Sequence, residues 1–303
     1  INIPRSLLLR GFFCGKIYKV VLMIKNDKTK GIIYIIISAF FFALMGLFVK
    51  LSGDLPIIQK SFFRNFVAMI FAFFLITKNK EWALPKGKNI SYLLIRAIAG
   101  TAGILCNFFA LSNMNLADAS MLNKLSPFFA VIFSLFILKE KASFKQILAV
   151  TMAFIGSLFV MKPSFSFEGL PAFMGFLGGL GAGLAYACVR KLTQNGFKGS
   201  LIIFYFSAFS CLVTLPWLIF DFTPMSATQW LYLILAGLSA SGGQYFITTA
   251  YSKAPAKEIS IYDYSQIIFT TLLSLIVFGD LPDALSFLGY AIIIAAAIFN
   301  AWN

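Results

Sequence analysis

The chain is a series of long apolar segments separated by short polar connections. A bilayer core about 30 Å thick is crossed by about 20 residues of helix. Lipid offers no partner to a free backbone N–H or C=O, and the sequence lacks the alternating pattern of barrel strands. We therefore predict an all-α integral membrane protein with ten transmembrane helices, approximately at 31–50, 57–77, 90–111, 116–138, 144–161, 169–190, 201–220, 229–252, 257–278 and 285–302.

Composition and charge agree with a membrane class. Hydrophobic residues make up 60% of the chain and charged residues only 12%, too few to cover a soluble fold. The net charge of +14 comes from small groups of basic residues between apolar segments, so we expect no nucleic-acid partner. Histidine is absent, which removes the usual zinc ligand and the usual general base near neutral pH. We expect no enzyme, no bound metal and no cofactor.

The basic residues predict the orientation in the membrane. Counted from Lys25, fifteen Lys and Arg residues lie in connections on one side, and only Lys50, Lys60 and Lys162 lie on the other. The positive-inside rule then places both termini in the cytoplasm of a multi-pass protein of the plasma (inner) membrane. Residues 1–30 are expected to be a basic cytoplasmic tail, with Met23 as a plausible true start, because the apolar run at 20–24 is too short for a signal peptide.

The sequence also contains a weak internal repeat. A shift of 140 residues aligns identical or similar residues in the two halves, which predicts five-helix units at 31–161 and 169–302. Five crossings are an odd number, so the second unit enters the membrane from the opposite side and the repeat is inverted. The aligned pairs include Gly103 with Gly243, Ala110 with Ala250, Ser120 with Ser260, Ser134 with Ser274, and Glu140 with Asp280.

Several passages of this repeat resemble a known family. They are SAFFFALMGLFVKL at 38–51, FFRN at 62–65, the run at 110–140 and its counterpart at 250–280. Through them the chain resembles the ten-helix, EamA-type members of the drug/metabolite transporter superfamily. The resemblance implies two five-helix bundles related by a two-fold axis in the membrane plane, with a central substrate cavity and alternating access. It leaves the substrate open, since similar proteins move amino acids, drugs, nucleotide-type metabolites and other small solutes.

Two charges lie deep inside predicted helices. Lys124 and Asp263 each lie about seven residues into the fourth and ninth segments, from opposite sides, hence about 10 Å from each other along the membrane normal. An ionised group at the bilayer centre costs about 2.5–3.5 kcal/mol and normally faces a cavity or a partner. Either they form a structural ion pair, or Lys124 receives an anionic substrate group and Asp263 a cationic one. A zwitterion such as an amino acid satisfies both.

Other polar residues are candidates for the same cavity. Pro127 predicts a kink beside Lys124, because proline removes one helical hydrogen bond. Arg64 and Arg96 are interpreted as structural residues that reach towards water, although Arg96 shares one helical face with Gly100, Gly103 and Asn107. The predicted substrate-binding residues are Lys124, Asp263, Asn123, Tyr264, Gln266, Gln244, Tyr245, Asn107 and Tyr186; the tyrosines make an aromatic solute an option.

The favoured function is a secondary transporter of a small metabolite, an amino acid or another small zwitterionic or aromatic solute. The resemblance favours export. The alternative is a structural or lipid-scrambling membrane protein without a soluble substrate. No Walker-type loop is present in the sequence, which argues against direct use of ATP. Asp263 is the candidate proton carrier, so proton exchange and facilitated diffusion both stay open. The expected partners are the substrate, the lipid bilayer and protons, and the oligomeric state is left open.

Overall fold

The computed structural model describes residues 26–113, 116–163, 169–279 and 281–301, so most of the predicted tail and Asp280 lie outside the described residues. The described part is helical. The spans, in chain order, are Asp27–Leu51, Ile57–Asn79, Lys88–Asn113, Leu116–Asn123 with Ser126–Ile137, Phe144–Met161, Gly169–Gln194, Gly199–Phe220, Ala227–Lys253, Ala256–Ile259 with Ser260–Tyr264 and Ser265–Phe278, and Ala284–Ala301.

The predicted fold class is confirmed. Nine of the described spans are long and apolar enough to cross a membrane. The remaining long helix, the eighth span, has 27 residues and buries a polar face that includes Ser241, Gln244 and Thr248. Its lower hydropathy follows from that face, which points to other helices and away from lipid. The chain is a multi-pass membrane protein.

The first helical turns of the fifth and tenth spans are capped at positions related by the repeat. The Ser143 hydroxyl accepts a hydrogen bond from the backbone N–H of Gln146, and the Gln146 side chain accepts one from the Ser143 N–H. Asp283, 140 residues later, accepts from the backbone N–H and the hydroxyl of Ser286 at 3.0 and 2.8 Å. Each cap satisfies donors that the helix leaves free, so both copies of this span begin at a defined residue.

The packing of the spans follows a pseudo-two-fold axis. The third span packs on the sixth as the eighth packs on the first, and the fourth packs on the sixth as the ninth packs on the first. The fifth packs on the tenth, where a Cβ on Gly156 would lie 2.9 Å from the carbonyl oxygen of Gly289. The second packs on the seventh. These pairings confirm the inverted repeat of two five-helix units.

Both described ends of the chain lie at one end of the bundle. Asp27, at the start of the first span, forms an ion pair with Lys253 at the end of the eighth, 3.4 Å apart. The Asn300 side chain, at the end of the tenth span, donates a hydrogen bond to the carbonyl oxygen of Glu258 at 2.9 Å. We call this end the terminal face and the other end the opposite face.

Candidate functional site

The fourth span is broken at Lys124 and Leu125. The first half-helix ends with the hydrogen bond from Lys124 N–H to the Ser120 carbonyl, 3.0 Å, and Pro127 lies in the first turn of the second half-helix. Proline has no N–H and clashes with the preceding turn, so the helix cannot continue through this position. The predicted kink is confirmed, and Lys124 lies at the break.

Neighbouring spans accommodate the backbone at this break. Gly179 of the sixth span lies so close that a Cβ there would be 2.5 Å from the Leu122 carbonyl oxygen. The Tyr264 hydroxyl donates a hydrogen bond to the Lys124 carbonyl oxygen at 2.9 Å. A buried carbonyl without a partner is costly, so Tyr264 stabilises the broken helix.

The ninth span is irregular at the corresponding place. Residues Ser260–Tyr264 form a 3₁₀-helix between two α-helical parts, and Asp263 lies within it. Lys124 Nζ lies 3.1 Å from Asp263 Oδ2 and donates a hydrogen bond to Gln266 Oε1 at 2.7 Å. Both charged residues are buried. In this conformation they form a hydrogen-bonded ion pair, which is how a membrane protein holds two charges away from water.

A cavity of about 150 Å³ lies next to this pair and is lined by both repeats. A protein cavity of roughly this volume holds a molecule the size of benzene. Polar groups from the third, fourth, sixth, eighth and ninth spans converge on it. The predicted residues that line it are Lys124, Asp263, Asn123, Gln266, Gln244, Asn107 and Tyr186.

The two other predicted residues do not line the cavity. Tyr264 is fully buried behind Lys124 and holds its backbone. Tyr245 is 39% exposed, on the outside of the eighth span, and its ring packs against Phe246. Successive residues of a helix point about 100° apart, so only one of Gln244 and Tyr245 can face the cavity. The structure selects Gln244, and the prediction for Tyr245 is corrected.

Arg96 belongs to the cavity wall. Its guanidinium lies over the Phe206 ring, 4.0 Å from the ring centroid, and Nη2 donates to Gln244 Oε1 at 3.3 Å. The helical face predicted from the spacing of Arg96, Gly100, Gly103 and Asn107 lines the cavity as a whole. That spacing was the signal for this part of the site.

Arg64 also faces the cavity, whereas we expected its side chain to reach towards water. The residue is 7% exposed, and its Nε donates to Met45 Sδ at 3.1 Å. The sequence carried one signal for this placement, a charge well inside an apolar segment. The aliphatic stem made a route to the membrane surface equally reasonable.

Polar and aromatic contacts connect the spans near the terminal face. Arg190, near the end of the sixth span, donates from Nη1 to the carbonyl oxygens of Tyr251 and Ser252, both at 3.1 Å, and its Nε lies 3.5 Å from Glu140 Oε1. The Tyr186 ring stacks on Tyr251 with centroids 5.2 Å apart. These contacts join the ends of the fourth, sixth and eighth spans between the cavity, which Tyr186 lines, and the terminal face.

Comparison with known proteins decides the family. The family model described as "EamA-like transporter family" matches the chain twice, over residues 29–162 and 169–302. The chain belongs to the EamA-like transporter family. It is therefore a membrane transporter, and a small-molecule substrate is implied. Two matches along one chain agree with the two packed repeats.

Sequence similarity to known proteins covers most of this EamA-like transporter. It is 30% identical over 281 residues to the pseudopaline exporter CntI of Pseudomonas aeruginosa, covering 91% of this chain and 97% of that one. It is 28% identical over 273 residues to solute carrier family 35 member G1 of Homo sapiens, covering 83% and 73%. A solved crystal structure aligns with a TM-score of 0.78 and 13% identity, covering 90% of this chain and 96% of that one, and so supports the fold alone.

Proposed function

We propose that this EamA-like transporter moves a small metabolite across the plasma membrane by alternating access, with the described cavity as its substrate site and export as its direction. The main support is a buried, charged cavity that both repeats build at the break in the fourth span. Broken helices at the interface of inverted repeats are where secondary transporters bind their substrates.

The contacts that close the terminal face suit a gate. They consist of one ion pair, hydrogen bonds from Arg190 and the stacked rings of Tyr186 and Tyr251. When the spans separate, water can replace the hydrogen bonds and solvate the charges of such contacts, which it cannot do for interdigitated apolar side chains. Opening the cavity to the terminal face requires Arg190 to leave Glu140 and the carbonyl groups of the eighth span.

We assign the terminal face to the cytoplasm. The distribution of Lys and Arg in the connections supports this orientation. The structure then represents the transporter closed towards the cytoplasm. Export is supported by the similarity to the pseudopaline exporter of Pseudomonas aeruginosa, which aligns over nearly its full length.

The substrate expected from sequence was an amino acid or another small zwitterionic or aromatic solute. The Tyr186 and Phe206 rings in the wall offer aromatic surfaces. Lys124 and Asp263 already pair, so a zwitterion must exchange with that pair to bind both ends. Asp263 is the group that would carry a proton, and flux measured with and without a pH gradient distinguishes coupled exchange from facilitated diffusion.

The test is efflux from proteoliposomes. The purified chain is reconstituted into vesicles loaded with amino acids, organic acids, nucleosides and polyamines, and the solutes that leave are identified by mass spectrometry. We expect one solute class to leave faster than from protein-free vesicles, with saturable kinetics. No protein-dependent efflux, together with lipid exchange between leaflets, would overturn the proposal in favour of a lipid scramblase.

A further inference from the structure

The charges that line the cavity do not balance. Lys124, Arg64 and Arg96 contribute three positive charges, and Asp263 contributes one negative charge. Lys124 is paired with Asp263. Two guanidinium groups are therefore left over, on the second and third spans and on the same cavity.

Neither arginine has a carboxylate partner among the described residues. The ion pairs found there join other residues, and the contacts of Arg64 and Arg96 are to a thioether, an amide oxygen and an aromatic ring. Arg96 is 2% exposed, and its Nε has no hydrogen-bond partner. A buried charge without a counterion costs several kcal/mol. An anion in the cavity would remove this cost.

The wall around Arg96 is shaped to hold its guanidinium in place. The guanidinium lies close to Gly100, one turn further along the same helix, where a Cβ would lie 2.2 Å from Arg96 Nη1 and 2.9 Å from the Phe206 ring. Phe206 supports one face of the group, and Gln244 accepts from one edge. A guanidinium is a planar donor group that can bind a carboxylate in a bidentate arrangement.

We infer that the cavity binds a small organic acid carrying two carboxylates, one at Arg64 and one at Arg96. Phe42, Ile104 and Phe206 give the carbon atoms between the two carboxylates an apolar wall. This inference rests on the proposed function, because it names the substrate class of the same site.

Other charge classes fit the cavity less well. A diamine would meet three cations and one already paired carboxylate. A neutral zwitterion such as leucine supplies one carboxylate for two arginines, and its ammonium group competes with Lys124 for Asp263. A dicarboxylate satisfies both arginines and leaves the Lys124–Asp263 pair intact. An acidic amino acid such as glutamate shares the two carboxylates and belongs to the same class.

The first test measures binding by thermal stabilisation of the full chain in detergent. The probes are succinate, glutamate, leucine and putrescine at matched ionic strength, since a binder of the folded state raises its midpoint by mass action. We expect stabilisation by succinate or glutamate and none by leucine or putrescine. Arg64→Gln and Arg96→Gln should each weaken that binding by about ten- to a hundredfold, as loss of a charged hydrogen bond does.

The matched control is Lys88→Gln, which removes an exposed positive charge from the same span as Arg96 and should leave binding unchanged. Stabilisation by leucine or putrescine alone, or by no probe at all, would overturn the inference. So would stabilisation by succinate or glutamate that is as large in both arginine variants as in the wild type. Efflux of a zwitterion or a cation from the loaded vesicles would overturn it too, while leaving the proposed transport function in place.

A second measurement distinguishes a binding role from a structural one. Arg64→Met removes a buried charge that has no counterion and keeps an unbranched side chain beside Met45. The ligand-free variant should unfold at the same temperature as the wild type or higher, while losing its response to dicarboxylates. A large drop in the ligand-free midpoint would mean that Arg64 holds the fold together and would overturn its assignment as a binding group.

Discussion

Replacing Asp263 by asparagine tests how the transporter uses its buried ion pair. The change removes the negative charge 3.1 Å from Lys124 Nζ and leaves the hydrogen bond to Gln266 at 2.7 Å. Breaking a buried pair by removing one partner costs about 3–5 kcal/mol. Because Gln266 and the new amide oxygen can still accept from the ammonium group, we expect the lower end, about 3 kcal/mol.

A double-mutant cycle isolates the contribution of the pair. Lys124→Met alone leaves Asp263 without its cation, whereas the double variant removes both charges. The loss in free energy of unfolding of the double variant should be smaller than the sum of the two single losses by about 2 kcal/mol. Asp283→Asn is the control: it makes the same chemical change in an exposed pair with Lys162, and the asparagine oxygen can keep the cap on Ser286, so it should have a small effect.

The assays are the thermal midpoint in detergent and initial flux in proteoliposomes. The Asp263→Asn variant should insert and purify normally, but its turnover should fall at least tenfold. Without Asp263, Lys124 becomes a third unpaired cation in the cavity, which slows the release of an anionic substrate. Additive losses in the cycle would refute the energetic reasoning. Full turnover with the pH dependence of the wild type would refute the role of Asp263 in transport.

Two further substitutions test the gate and the broken helix. Arg190→Gln should loosen the terminal face, so that Cys188, which is fully buried, reacts faster with a permeant maleimide when it is the sole cysteine; an unchanged rate would contradict the gate. Gly179→Ala should cost about 1–3 kcal/mol and slow transport, because its Cβ meets the Leu122 carbonyl oxygen at 2.5 Å. Gly46→Ala, where the Cβ would meet nothing within 4 Å, is the matched control, and equal losses in both variants would contradict the tight contact.

Much of the fold could be predicted because the bilayer restricts it strongly. Each sufficiently long apolar segment predicts a membrane span. Because each repeat has an odd number of spans, the second repeat must have the opposite orientation in the membrane. The depths of Lys124 and Asp263 made their ion pair one of two predicted alternatives, since two charges near the midplane of adjacent repeats have few other partners. Pro127 located the break in the fourth span for a similar reason, as proline cannot join a helical hydrogen-bond ladder.

The remaining parts of the site depend on which way each helix face points. In a membrane, lipid-facing and buried surfaces are both apolar, so hydrophobic periodicity does not tell them apart. The inward placement of Arg64 and the outward placement of Tyr245 were hidden for this reason. The 3₁₀ turn around Asp263 contains no proline, so the sequence gives no signal for it. Its neighbour Tyr264 binds the backbone of the fourth span, a contact 140 residues away in sequence.

The most direct test of transport by alternating access is counterflow. Proteoliposomes preloaded with an unlabelled form of the solute identified by efflux are diluted into a trace of its labelled form. A carrier with one substrate site exposed to each side in turn should accumulate label transiently above the external concentration, and Arg96→Gln should abolish this overshoot. A steady approach to equilibrium without an overshoot would contradict alternating access through this cavity.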